Sequence, residues 1–322
     1  MGSQRYLVRK VLHAIATLLF VVAFNFYLFR IMPGDPITIL ARSQHLSRAD
    51  IAEQIANLGL DKPLPQQLLI YLGDTFRGEL GVDLRSGAPV SQLIAERLWP
   101  TILLVGISTV LSIGFGLLIG IKGAWQRGGL FDTTSLYTSL VFYSMPEGWL
   151  GMILIVLFAG LLGWFPAGQY ESPADLTGFA HIVDVLNHLF LPCLTLTLGY
   201  IGEYAIVMRS SLLEVRGEDF ITTARAKGVP DRDVRRRHAV PNALLPTLTL
   251  VFYSFGFVLG GAVVIESVFS WPGVGRLTYE AIGELNYPIL QGVFLLSSVT
   301  VILFNLAADI LYGYLDPRIR EG

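Results

Sequence analysis

The sequence has little cysteine and little charge. Its single cysteine, Cys193, excludes an intrachain disulfide and a cysteine-based zinc site. Charged residues make up only 15% of the 322 residues, against roughly a quarter in soluble domains. Hydrophobic residues reach 53%. The net charge of −2 leaves no global basic field for DNA or RNA, so no nucleic-acid partner is expected. The five histidines (13, 45, 181, 188 and 238) are scattered, and no metal-ligand spacing can be read from them. Three catalytic signatures are also missing: His-Glu-x-x-His, Gly-x-Ser-x-Gly, and the phosphate loop Gly-x-x-x-x-Gly-Lys-[Ser/Thr]. Without that loop the chain cannot cradle β- and γ-phosphates in the usual way. Any ATP-derived energy must come from elsewhere, and no catalytic or metal site is expected on this chain.

What is present is long apolar runs. A helix crossing the hydrocarbon core needs roughly 20 mainly apolar residues. Six runs meet this: 11–31, 101–121, 136–162, 189–208, 244–265 and 289–312. The first follows Arg5, Arg9 and Lys10 like a signal peptide. It is too long for one and lacks a small-residue cleavage site, so it reads as retained. The third is interrupted by Pro146 and Glu147. The expected fold is therefore an all-α integral membrane protein with six transmembrane helices. Six spans put both termini on one face. The segments on that face hold 15 of the 23 Lys and Arg residues, and the positive-inside rule makes it the cytoplasmic one.

Two loops are too patterned to be connectors. The outer stretch 32–99 carries Ser47 as a plausible N-cap before Ile51, Ile55 and Leu58, and Gly59 as a stop. Pro65 can open a second helix with Leu68, Leu69, Leu72 and Phe76 apolar, broken by Gly78 and Gly81. This reads as a small helical extracytoplasmic subdomain, or as an insertion that serves stability alone. The inner loop 209–243 carries eight basic and five acidic residues. Its pattern gives a helix up to Gly228, then a second short helix from Pro230 and Asp231 through Arg235, Arg236 and Arg237, with Pro241 and Pro246 at the start of span five. Anionic lipid headgroups could hold such a loop. They need no helix–glycine–helix geometry, however, so a docking element for a cytoplasmic protein is the sharper reading.

The segment Asp219-Phe-Ile-Thr-Thr-Ala-Arg-Ala-Lys-Gly228, followed by His238-Ala-Val-Pro241, resembles the cytoplasmic EAA loop of ABC-transporter permeases. Thr222, Thr223 and Ala224 occupy the Glu-Ala-Ala places, Gly228 matches, and Pro241 falls at the required spacing. The Thr-Ala-Arg-Ala-Lys-Gly form is similar to the dipeptide/oligopeptide (peptide/nickel) branch with a long first outer loop. Further stretches in the same order resemble that branch: Met32-Pro-Gly-Asp-Pro36, Leu58-Gly-Leu-Asp61, Gly78-Glu-Leu-Gly81, Arg85-Ser-Gly-Ala-Pro89, Glu96-Arg-Leu98, Glu266 through Gly275, and Leu315-Asp-Pro-Arg-Ile-Arg320.

The resemblance implies a type I importer permease fold in a bacterial inner (cytoplasmic) membrane, divided as 1–31, 32–99, 100–313 and 314–322. It implies a partner set of a second homologous permease, two ATPase subunits and an extracytoplasmic substrate-binding protein, in addition to membrane lipid. ATP and magnesium would sit on the ATPase partners, with no cofactor on this chain. Asp219, Thr222, Thr223, Ala224, Lys227, Gly228 and Pro241 would form the ATPase-coupling loop, with contact centred on 218–228. Trp271, Pro272 and Gly273 would form an outer gate loop.

Charged residues inside spans are costly and usually face an interior. Glu147, placed near mid-depth beside Pro146, is a candidate to line the pathway and meet cationic cargo, or else a carboxyl paired within the bundle. Glu203 is a second candidate, or simply hydrated near the cytoplasmic boundary. Asp309, Asn25 and Asn305 read better as solvated or structural. An alternative function, a proton-coupled secondary transporter relaying through Glu147, Glu203 and Asp309, would be favoured by internal repeats. No clear repeat is found.

Overall fold

The computed structural model describes residues 2–31, 62–83, 85–258, 260 and 262–315. The Ser47 helix and the motifs at 32–36 and 58–61 lie outside these residues, as does the terminal motif after Leu315. The described residues are almost entirely helical, with one isolated bridge between Val82 and Pro89. Five helices are long and apolar enough to span a membrane: Val8–Ile31, Val90–Trp125, Phe179–Val215, Asp231–Gly256 and Tyr287–Ile310. The third expected span differs. It consists of two helices, Leu130–Ser144 and Glu147–Leu161, bent by 102°. The break falls at Met145 and Pro146, both with extended ψ (131° and 126°). Proline disfavours helical backbone at the residue before it, so the chain turns there.

The chain divides into two compact units. In the first (1–101, 259–263 and 272–322), α1 (Gly2–Ile31) packs along α13 (Tyr287–Leu315). The helices α2 (Leu64–Arg77), α3 (Val90–Thr101) and α12 (Val274–Gly283) complete it. Pro65 opens α2 and Gly78 ends it in the left-handed region at φ 81°, as the sequence pattern implies. Phe29, Val90, Ile94, Val274, Leu277, Tyr287 and Leu290 form the core. Asn25 donates to the Gln291 carbonyl at 3.0 Å, a helix-packing bond, and Lys10 pairs with Asp309 at 2.9 Å. Asp309 is thus a structural partner of α1.

The second unit (102–258 and 264–271) is built on α4 (Ile107–Trp125) and α7 (Phe179–Val215). Its other helices are α5 (Leu130–Ser144), α6 (Glu147–Leu154), α8 (Asp219–Ala226), α9 (Asp231–Asp233), α10 (Val240–Val258) and α11 (Val263–Val268), the last starting at the unit boundary. Gly116 and Gly120 let α4 lie directly on α7. A Cβ at Gly120 would sit 2.6 Å from the Ala205 carbonyl, and one at Gly116 would sit 2.5 Å from the Tyr204 Cβ. Small residues permit this approach where lipid supplies no hydrophobic drive between helices. Ser108 and Ser112 add hydrogen bonds to the carbonyls of Cys193 and Thr197 at 3.4 and 3.3 Å. At 37 residues α7 is about 55 Å long, so it projects beyond a hydrocarbon core of about 30 Å.

Two expectations for the inner loop change. The helix expected to run unbroken into Gly228 is interrupted at Arg216–Glu218, so α7 ends at Val215 and α8 is separate. The second short helix is not separate. A wide π turn, Val234–Ala239, carries the chain from α9 straight into α10, giving one helical run from Asp231 to Gly256. Span five also ends sooner than expected, with α10 stopping at Val258 and α11 starting anew.

Candidate functional site

The helix α8 is short, and local signals set both its ends. Glu218 precedes it in extended backbone, and Asp219 in the first turn and Arg225 in the last both suit the helix dipole. Gly228, at φ 76°, stops it. The amide of Gly228 donates to the Arg225 carbonyl (2.9 Å) and that of Val229 to the Ala224 carbonyl (3.2 Å). This is the Schellman pattern, and the accompanying apolar contact is present because Val229 packs on the same cluster as Ala224.

One face of α8 is fixed to the body of its unit. Ile221 (0% exposed) and Ala224 (7%) enter a cluster with Ala124, Met208, Leu212, Val234, Ala239 and Ala243. Full burial of one isoleucine stabilises by about 1.5–3 kcal/mol, enough to hold a helix of this length that would not persist alone. The opposite face is open: Asp219, Phe220, Thr222, Thr223, Arg225, Ala226, Lys227 and Gly228 are all exposed. Of the coupling-loop residues expected from sequence, only Ala224 is turned inward. Pro241 is exposed at the start of α10.

The helix α7, from which the loop departs, is tied to α5 through residues with no signal in the sequence pattern. Arg209 grips Asp132 with two bonds, Nε to Oδ1 at 2.6 Å and Nη2 to Oδ2 at 2.9 Å. Gly128 N–H donates to the same carboxylate at 2.9 Å. Asp132 is 3% exposed. Seventy-seven residues separate the pair, so only the α5–α7 packing reveals it.

The remaining sequence candidates lie elsewhere. Glu147 is half-buried in the first turn of α6, just after the 102° break, and not in mid-helix as expected. Its Cγ lies near Gly199 of α7. A carboxylate at a helix N-terminus is favoured by the dipole, which gives Glu147 a structural reason to be there. Glu203, also half-buried, lies on α7. Trp271 is fully buried in the second unit, with its ring 5.0 Å from Tyr170 and its amide donating to the Glu266 carbonyl at 2.8 Å. Pro272 and Gly273 begin a segment of the first unit, Gly273 leading into α12 in extended backbone. No group of three or more His, Cys, Asp or Glu residues able to hold a metal occurs among the described residues.

Several apolar helices of membrane-spanning length, with a short two-faced helix on a connecting loop, define the class as a polytopic membrane protein. Solved structures agree on the fold. The inward-facing MetNI methionine ABC transporter matches with TM-scores of 0.55 and 0.53 in two crystal forms, at 20% identity, covering 70% of this chain and 97% of that one. Residues 112–321 match the family described as the binding-protein-dependent transport system inner membrane component, and residues 3–104 match its N-terminal companion. The chain belongs to this family, the permease subunits of ABC importers. Among its relatives are the di/tripeptide transport system permease protein DppB of Pseudomonas aeruginosa, 39% identical over 98% of both chains, and the oligopeptide transport system permease protein AppB of Bacillus subtilis, 36% identical over 98% of this chain and 99% of that one. The dipeptide transport system permease protein DppB of Escherichia coli K12 is 35% identical over 98% and 99%.

Proposed function

We propose that this permease forms half of the pathway of an ATP-driven importer for peptides or similar small solutes, and that α8 is where the ATPase docks. The observation that carries the docking reading is the two-faced character of α8. Ile221 and Ala224 fasten one side to a cluster shared with α4, α7 and α10, while Phe220, Thr222, Thr223 and Lys227 stand in solvent. A partner that pushes on the open face moves a packed body, because a close-packed cluster transmits displacement and does not absorb it.

In this reading ATP and magnesium are bound and used on two ATPase subunits. A second, homologous permease completes the path, and an extracytoplasmic binding protein delivers and selects the cargo. Both termini face the cytoplasm, the protein resides in the inner membrane, and the 271–273 segment belongs to the outer gate. The peptide relatives support the cargo class. The secondary-transporter alternative is not favoured, since Asp309 is paired with Lys10 and Glu147 sits at a helix terminus.

The test is site-directed crosslinking in the assembled transporter. A cysteine at Thr223 is expected to crosslink to the ATPase, and one at Ala224, being buried, to do so poorly. Cys193 is itself buried and leaves the introduced thiol as the accessible one. Crosslinking only from the 122–131 loop would overturn the assignment.

A further inference from the structure

Trp125, the last residue of α4, meets four residues spread along the loop that carries α8: Arg216, Arg225, Asp231 and Arg235. Its ring centroid lies 5.0 Å from the guanidinium carbon of Arg216, 5.8 Å from that of Arg225 and 5.8 Å from that of Arg235. Its indole Nε1–H donates to Asp231 Oδ2 at 2.7 Å. Asp231 in turn pairs with Arg225 at 3.4 Å. Arg216 also donates to the carbonyls of Ala124 and Trp125, satisfying the otherwise open C-terminal end of α4. One side chain therefore joins α4, the end of α7, α8, α9 and the π turn that leads into α10.

The charges explain why an aromatic is needed. Three guanidiniums crowd one point, with Asp231 as the anion bonded into the group. Like charges at this spacing repel. The π faces and edge of an indole attract cations on one side and donate to the carboxylate on the other. An aliphatic residue of the same bulk would fill the space and leave the arginines to separate.

We propose that Trp125 is the positioning residue that sets the angle of α8 on the membrane helices, and so couples ATP hydrolysis to transport. The apolar face of α8 fixes its depth through Ile221 and Ala224. Its C-terminal end, at Arg225, rests on the indole ring and is linked through Asp231 to the indole N–H, in addition to the Schellman bonds that close the helix. Without that hold, α8 can be pushed by the ATPase and pivot, and α7 and α10 need not follow.

This inference rests on α8 being the docking helix, and the experiment separates the two. The complete transporter is reconstituted in vesicles, with Thr223→Cys as the crosslinking probe, and peptide uptake and ATP hydrolysis are both measured. Trp125→Ala is expected to lower uptake per ATP hydrolysed by about tenfold, in keeping with the loss of three cation–π contacts, while hydrolysis continues. Trp125→Phe retains the ring face but loses the N–H donated to Asp231, and is expected to recover part of the ratio. If Thr223→Cys fails to crosslink in the otherwise unaltered protein, the docking reading fails. If it crosslinks and the ratio for Trp125→Ala equals that of the parent, the positioning role is overturned. Should Trp125→Ala not assemble, Arg235→Met decides. It lies outside α8 and retains bulk, and it is expected to lower the ratio by about threefold. An unchanged ratio there overturns the proposal.

Discussion

Replacing Asp132 by alanine should destabilise the permease through one identifiable loss. Asp132 accepts both bonds of the Arg209 fork and the Gly128 amide while almost fully buried. Alanine removes all three acceptances and leaves the guanidinium facing a hole. Removing one partner of a buried pair costs about 3–5 kcal/mol, and because the Arg209 side chain remains 23% exposed, the lower end, about 3 kcal/mol, applies. At about 2 °C per kcal/mol for a chain of this size, the midpoint of thermal unfolding should fall by about 6 °C. Cys193 supplies the assay. As the chain's one thiol, and a buried one, it will react with a thiol-specific dye only as the second unit opens. Asp132→Ala should expose it at lower temperature. Arg209→Met added to Asp132→Ala should restore part of the loss, because no unpaired charge then remains. A shift below about 1 °C, or strictly additive effects of the two substitutions, would refute the reasoning.

Other outcomes follow from single residues. Gly228→Val should cripple transport while membrane insertion continues. The ideal Cβ there meets nothing within 4 Å, so the penalty is purely that of the φ of 76°, about 1–2 kcal/mol, and Gly228→Asn should retain most activity in the same uptake assay. Glu147→Gln should change uptake of cationic peptides more than of matched neutral ones if the carboxylate meets cargo. Equal ratios, together with a cysteine at 147 that no water-soluble reagent labels in any nucleotide state, would leave Glu147 as a helix-terminal structural residue. Burial raises the pKa of Asp83, but hydrogen bonds from Ser86, Arg85 and Asn286 outweigh it and hold the carboxyl below the ordinary range. Its stabilisation of the 83–90 turn is therefore complete above an ordinary carboxylate pKa of about 4 and is lost as pH falls through the depressed value. The protection factor of the Ser86 amide against hydrogen exchange, taken relative to the intrinsic rate at each pH, should be flat from neutral pH down to about 5 and fall only in stronger acid, and a fall beginning near neutrality would contradict this.

Much of the fold, and the short helix ended by Gly228, was legible in the residues themselves. Apolar runs of membrane length have few alternatives when each buried amide must be satisfied within its own helix, so five of the six expected spans follow from composition, while the run at 136–162 is divided between two helices. Pro65, Gly78 and Gly228 act through their own backbone preferences and needed no tertiary information to be read as helix ends. The ordered motifs from Gly78 to Gly275 marked the family for the same local reason. Which side of a helix faces inward is a different matter. Ala224 read as a docking residue by motif, but Ile221 and Ala224 together meet the α4–α7–α10 cluster, and that face was chosen by packing. Pro146 signalled a bend, yet its 102° and the placing of Glu147 at a new helix N-terminus depended on how α5 and α6 each lie on α7. The Arg209–Asp132 pair and the arginines around Trp125 have no sequence signature, because their members lie up to 110 positions apart and each alone looks like an ordinary surface residue. Local preference fixes where helices begin and end, whereas ion pairs and aromatic contacts between distant segments exist only once those helices have packed.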